Sequence, residues 1–231
     1  MKCVVEGQGL MKKYEDKWVF QDLNLSIPEQ RIIGILGPNG VGKSTLFRLI
    51  MGFTQPDDGK LEVLGRKPGW ETYQDISYLP DRARWYADHT VQQALEWGEQ
   101  FLSGFRREMA EKLLEMMQLK PEMKVQGMSK GEEARLMLVL CLARQVPLIL
   151  LDEPLSGIDL VSREKIIAGI LEQVSEYQQT ILMSTHEIAE TEGLFDYALF
   201  LGEGKVMLAG DVEEIRREHG SLQTVYRKLY S

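Results

Sequence analysis

The sequence predicts an α/β fold with an antiparallel β portion near its N-terminus and a helical insertion in its middle. Three observations predict it. Short apolar runs at Arg31 to Leu36, Pro147 to Asp152 and Thr180 to Met183 have the length and composition of buried strands. The first run leads into a glycine-rich turn and then a helical pattern. From about Arg82 to Leu142 the β pattern is absent, and apolar residues recur at helical spacing instead.

The elements follow in order. Cys3 to Tyr14 and Val19 to Ile27 read as two strands around the polar turn Glu15-Asp16-Lys17. The strand ending at Leu36 passes through Gly37-Pro38-Asn39-Gly40-Val41-Gly42-Lys43-Ser44-Thr45 into a helix, Leu46 to Met51, closed by Gly52. Gln55 to Gly59 is a turn with Pro and Gly punctuation. Lys60 to Leu64 alternates as a half-buried strand, and Asp75 to Leu79 is a short strand stopped by Pro80. Val91, Ala94, Leu95, Gly98, Phe101 and Leu102 mark one helix face; Met109, Leu113, Leu114, Met116, Met117 and Leu119 mark the next. These methionines read as soft core filler. Ile166, Ile167, Ile170, Leu171, Val174 and Tyr177 form one face of a later helix. Tyr197 to Leu201 and Lys205 to Leu208 flank Gly202-Glu203-Gly204 as a hairpin, and Asp211 to Ser231 reads as a polar helical tail.

At 231 residues the chain fits one domain, with residues 1–81 and 143–231 as core and β subdomain and 82–142 as a helical subdomain. A formal net charge of −8 argues against nucleic acid as the main partner. Cys3 and Cys141 make no ligand pattern and no disulfide framework, which suits a reducing compartment; Cys141 reads as core packing. The longest apolar run, Leu136 to Ala143, is far below the roughly 20 residues a membrane span needs. No basic-then-apolar signal pattern opens the chain. The expectation is a cytoplasmic protein that reaches a membrane only through another chain.

Residues 37–45 fit the P-loop pattern G-x-x-x-x-G-K-[ST] between a strand and a helix. Gly37, Gly40 and Gly42 let backbone N–H groups curl around a phosphate, and the helix N-terminus adds partial positive charge. Lys43 is placed for the β- and γ-phosphates, and the Ser44 hydroxyl for Mg2+. Asp152 and Glu153 end a buried strand, where α/β sheets bind ligands. Asp152 then suits Mg2+ through a water, and Glu153 suits polarising the water that attacks a γ-phosphate. His186 ends another strand and suits contact with the γ-phosphate; His89 and His219 have no comparable setting. Tyr14, before the nucleotide strand, reads equally as an adenine stack or an exposed turn aromatic. Ser129 and Glu132 have capping-box spacing, which explains both residues locally; an anion site at that helix N-terminus is the alternative.

Together these residues resemble the ATP-binding subunits of ABC transporters along nearly the whole chain. Residues 37–45 are similar to Walker A, and Leu148 to Glu153 to Walker B with its glutamate. Met128-Ser129-Lys130-Gly131-Glu132 resembles the signature, Ser156-Gly157-Ile158-Asp159 the D-loop, His186 the switch histidine and Tyr14 the A-loop aromatic. The resemblance implies a P-loop NTPase core, hydrolysis of ATP with Mg2+, and head-to-tail pairing with a second copy or a related subunit. Ser129 and the Gly131 N–H are then expected at the partner's γ-phosphate, with Asp159 signalling across the pair. It also implies an integral membrane transport subunit as partner, exporter-type, docking around Asp81 to Phe101. Trp85, Tyr86 and Trp97 there read as partner-facing or as core. Two departures stand out. Asp81 replaces a glutamine expected at Mg2+ and the attacking water, and Lys130 and Glu132 replace Gly and Gln in the signature. Turnover slower than in a full-consensus subunit is expected. The competing reading is a soluble ATPase of the same family that remodels a nucleic-acid, ribosomal or protein assembly.

Overall fold

The computed structural model describes residues 2–231, apart from the side chains of residues 172–177. Val174 and Tyr177 of the expected helix face therefore lie outside the described side chains. In chain order the elements are β1 (Cys3–Tyr14), β2 (Lys17–Pro28), β3 (Ile32–Leu36), α1 (Lys43–Ile50), β4 (Asp58–Val63) and β5 (Ile76–Leu79). Then come α2 (Val91–Phe101), α3 (Arg107–Met116), α4 (Lys130–Leu142), β6 (Leu148–Asp152) and α5 (Leu160–Tyr177). The chain ends with β7 (Thr180–Thr185), α6 (Ile188–Thr191), β8 (Tyr197–Gly202), β9 (Lys205–Asp211), α7 (Val212–His219) and α8 (Leu222–Tyr230). It divides into two compact units: Met1–Tyr73 with Thr180–Ser231, and Gln74–Gln179.

In the first unit β1 pairs antiparallel with both β2 and β4. β3 lies between β7 and β8, parallel to each, and β9 adds to β8 antiparallel. Every residue of β3 and β7 is buried, as in central parallel strands covered on both faces, including Thr180, Ser184 and Thr185 of β7. Gly34 in β3 admits the Phe195 ring, which would lie 2.8 Å from a Cβ there. α1 buries Leu46, Phe47, Leu49 and Ile50. Asp57, in the turn after α1, accepts from the Lys13 N–H (2.7 Å) and from Lys12 Nζ (3.0 Å), which holds its carboxyl below the usual range. β4 begins two residues earlier than its alternation suggested and ends one residue earlier, where Leu64 takes a left-handed backbone (φ 52°) and leaves the strand. The C-terminal tail is two helices broken at Gly220, and it buries Val212, Ile215, Leu222 and Val225.

In the second unit β5 and β6 pair in parallel. α2 starts with a capping box between Thr90 and Gln93 and buries Val91, Ala94, Leu95 and Gly98. α3 buries Met109, Ala110, Leu113 and Leu114, while Met117 and Leu119 just beyond it are also buried. Met109 and Met117 thus pack as core filler, whereas Met116 is half-buried. Cys141 is buried with its Sγ 3.2 Å from Ser77 Oγ, and burial pushes the thiol up to about 11. Arg144 is buried too, donating to the carbonyls of Ile76 (2.7 Å) and Ser103 (2.9 Å).

Candidate active site

In the first unit the site begins where β3 stops. Gly37, Gly40 and Gly42 have φ of 156°, 84° and 109°. Gly42 needs its freedom twice, since a Cβ there would also lie 2.7 Å from Val19 Cγ1 and 2.9 Å from Phe20 Cε1. These two β2 residues press the β1–β2 hairpin, which carries Tyr14, against the loop. A Cβ at Gly40 would meet no atom within 4 Å. Lys43 is 5% exposed and donates from Nζ to the Gly37 carbonyl (2.8 Å) and the Pro38 carbonyl (3.3 Å), folding over its own loop. Ser44 and Thr45 follow half-buried, while Asn39 is exposed. α1 has Gly42 as its N-cap, no side-chain cap and no acidic residue in its first turn. Its first N–H groups therefore face no carboxylate of their own helix, which suits an anion.

Leu36 at the end of β3 pairs with Thr185 at the end of β7. Gly37 and His186 thus leave neighbouring strands at the same edge. Thr185 Oγ1 accepts from the Glu187 N–H at 3.0 Å, shaping the turn on which half-buried His186 sits. Tyr14 is 41% exposed at the end of β1, with the Lys12 ammonium 5.4 Å from its ring centroid.

In the second unit the same edge logic applies to β5 and β6. Leu79 pairs with Leu151, so Pro80-Asp81 and Asp152-Glu153 emerge side by side. Asp81, Asp152 and Glu153 line one small cleft with Leu79, Ala134 and Ser156. Asp152 is 2% exposed, Asp81 is exposed with Arg82 Nε at 3.9 Å, and Glu153 holds a left-handed backbone (φ 50°). Oxygen donors of this kind suit a hard cation such as Mg2+, but among the described residues no group of three or more His, Cys, Asp or Glu side chains converges to hold a metal ion on its own.

Both bonds of the Ser129–Glu132 capping box are present: Ser129 Oγ accepts from the Glu132 N–H (3.2 Å), and Glu132 Oε2 accepts from the Ser129 N–H (2.8 Å). The Ser129 N–H above all holds the Glu132 carboxyl below its ordinary range, with the hydroxyl next. α4 therefore starts at Lys130, directly after its Ser129 cap. Gly131 is wedged: a Cβ there would lie 2.5 Å from Ser162 Oγ and 2.7 Å from Asp159 Oδ2. Asp159 itself accepts from the Ser162 N–H at 2.9 Å, the main cause that lowers its pKa. The signature residues and the D-loop residue are thus in contact within this unit.

Arg135 was not singled out by sequence reasoning. It is 7% exposed and donates to the carbonyls of Gly131 (3.2 Å) and Met117 (2.7 Å), bracing the signature from below. Its position one helical turn after Gly131 was the available signal. Trp85, Tyr86, Trp97 and Phe101 form a chain of ring contacts, with centroids 5.5, 5.3 and 5.0 Å apart for Trp85–Tyr86, Trp85–Trp97 and Trp97–Phe101. Trp85 and Trp97 are half-buried, whereas Tyr86 is 58% exposed.

The ABC transporter family profile matches residues 20–156. The chain is 29% identical to the lipopolysaccharide export system ATP-binding protein LptB of Haemophilus influenzae, over 93% of each chain. It is also 29% identical to the thiamine import ATP-binding protein ThiQ of Vibrio cholerae, over 90% of this chain and 89% of that one. A solved structure of the ATP-binding subunit of an ABC transporter superposes with a TM-score of 0.86 at 27% identity, covering 99% of this chain and all of the other. Among the described residues no helix is long and apolar enough to cross a membrane. With its P-loop, its paired strand-end carboxylates and these relatives, the chain belongs to the ABC transporter ATP-binding proteins and is an ATP-binding ATPase.

Proposed function

We propose that the chain is the energising subunit of an export complex, binding an integral membrane transport subunit and pairing head to tail with a second copy or a related ATPase. In this reading Gly37 to Thr45 cradle the ATP phosphates, with Lys43 on the β- and γ-phosphates and Tyr14 stacked on adenine. Ser44, Asp152 and Asp81 would hold Mg2+, which would offset charge on the phosphate oxygens. Glu153 takes the proton of the attacking water, and His186 orients the γ-phosphate and Glu153. Ser129 and the Gly131 N–H present the α4 N-terminus to the ATP of the opposite subunit, with Asp159 at the contact between copies.

One observation carries the hydrolytic part: Glu153 lines a cleft with two further carboxylates, Asp81 and Asp152. The membrane partner rests on what the relatives' names say of them; one names export and one import. The exporter assignment rests further on the Tyr78-Leu79-Pro80-Asp81 segment and on Lys130 in the signature. Glu153→Gln removes the proton acceptor while keeping size and shape. The expected result is ATP affinity within about twofold of wild type, turnover lowered by about a hundredfold or more, and a dimer trapped by ATP. Residual wild-type turnover shows that Glu153 is not the base. Capture of tagged Glu153→Gln protein from detergent-solubilised native membranes then tests the partner. A multi-span membrane protein supports the transport reading and its type separates export from import. Ribosomes or a soluble assembly favour the remodelling ATPase instead.

A further inference from the structure

α8 ends beneath the P-loop. Leu36 pairs with Phe200, so the carbonyl of the next β8 residue, Leu201, lies under Gly37. A Cβ at Gly37 would sit 2.6 Å from that oxygen and 3.4 Å from the Tyr230 hydroxyl. Tyr230 donates to the same Leu201 carbonyl at 2.6 Å. One carbonyl therefore lies against the first glycine of the loop and is held by the tyrosine hydroxyl. On the other side of that glycine, its own carbonyl accepts from Lys43 Nζ.

The helix that delivers Tyr230 is well anchored. Leu222 and Val225 are buried, and the Leu222 N–H donates to Glu192 Oε1 at 3.0 Å. The same oxygen accepts from Arg216 Nε of α7 at 3.1 Å. The Tyr230 ring packs on Tyr226 with centroids 4.6 Å apart, and its Cε1 would lie 3.0 Å from a Cβ at Gly202. Burial pushes the phenol above its ordinary range, so it stays protonated and remains a donor throughout the neutral range.

We propose that Tyr230 is a positioning residue for ATP binding: through the Leu201 carbonyl it fixes Gly37, and with Gly37 the seat of the Lys43 ammonium. The inference rests on the P-loop as the nucleotide site. Without the phenol the Leu201 carbonyl loses its donor, the floor under Gly37 is released, and Lys43 no longer starts from one fixed position. Chemistry at Glu153 is untouched, so the effect falls on binding.

The test compares Tyr230→Phe with Tyr226→Phe in the full chain. Tyr230→Phe keeps the ring and removes only the hydroxyl. The expected result is an ATP Kd and a KM raised about three- to tenfold, with kcat at saturating ATP within about twofold. Tyr226→Phe, which strips a hydroxyl from the other ring of the pair, leaves Kd unchanged. A lowered Tm with unchanged Kd and KM overturns the proposal, because it reduces Tyr230 to packing. A second measurement uses the unaltered protein and so does not depend on the variant folding. ATP should slow amide hydrogen exchange both in the 37–43 segment and in α8. Protection of 37–43 with α8 unchanged overturns the proposal and leaves the P-loop reading intact. Protection of neither segment overturns both.

Discussion

Two helices of this protein present their N-termini in opposite ways. α1 opens on a glycine, with no side-chain cap and no acid in its first turn. α4 opens on a complete capping box and carries two acids, Glu132 and Glu133, in its first turn. Physics assigns these ends different work. An uncapped N-terminus keeps its dipole and N–H groups for an outside anion, whereas a boxed one spends part of both on its own side chains. The sequence resemblance gives both ends a phosphate. On that proposal the first end is open to the phosphate and the second shares its N–H groups with its own side chains.

The largest effect should come from giving α1 what α4 has. Gly42→Asp places a carboxylate at the α1 N-cap and forces a side chain into a left-handed backbone against Val19. ATP binding measured by titration should weaken by about a hundredfold or more, since charge and clash act together. Intact binding would show that the open end of α1 is not the phosphate site. Next comes Gly131→Ala. Its new methyl meets Ser162 Oγ and Asp159 Oδ2, so α4 or the D-loop must shift. Turnover should fall by about tenfold while ATP affinity of the isolated chain stays put. An equal loss of affinity would place Gly131 at the chain's own ATP instead.

The smallest effect is also the most diagnostic. Glu132→Gln keeps the capping oxygen and deletes the charge, making α4 more like α1. ATPase activity should rise about two- to fivefold, and no rise would show that the charge at 132 does not limit turnover. The variant also has a pH signature. Glu132 has a depressed pKa in the folded chain, so its contribution to stability is present above the unfolded value and is lost as pH falls through the folded one. Screening at this half-buried site keeps that contribution to a few tenths of a kcal/mol, on the order of an exposed pair. Wild type should accordingly lose a small Tm advantage over Glu132→Gln as pH falls through and below the ordinary glutamate range. A pH-independent Tm difference would deny the charged cap.

Much of this contrast was legible in the residues. The P-loop, the strand-end carboxylates and the Ser129–Glu132 box are local patterns, in which spacing alone fixes the geometry. What stayed hidden is tertiary. Gly131 touches Asp159 and Ser162 across a gap of about thirty residues, and no periodicity announces such a contact. Tyr230 reads as one more tail residue until α8 turns out to lie under Gly37. The tail's four buried apolar side chains were diluted by charge and so read as a solvated helix. Thr90 and Gln93 are a different case, because their capping-box spacing was visible and was passed over. Leu64 sits at the end of an alternating run whose pattern does not reveal a left-handed backbone.

Glu153 holds a backbone conformation that glycine or asparagine adopts with less strain, at a difference on the order of 1 kcal/mol. Directed evolution for heat resistance alone would therefore be drawn toward Glu153→Gly or Glu153→Asn. If Glu153 is the base, as proposed, the winners would be sturdier ATP-binding proteins that no longer hydrolyse ATP, so a thermostability library for this chain needs that codon locked.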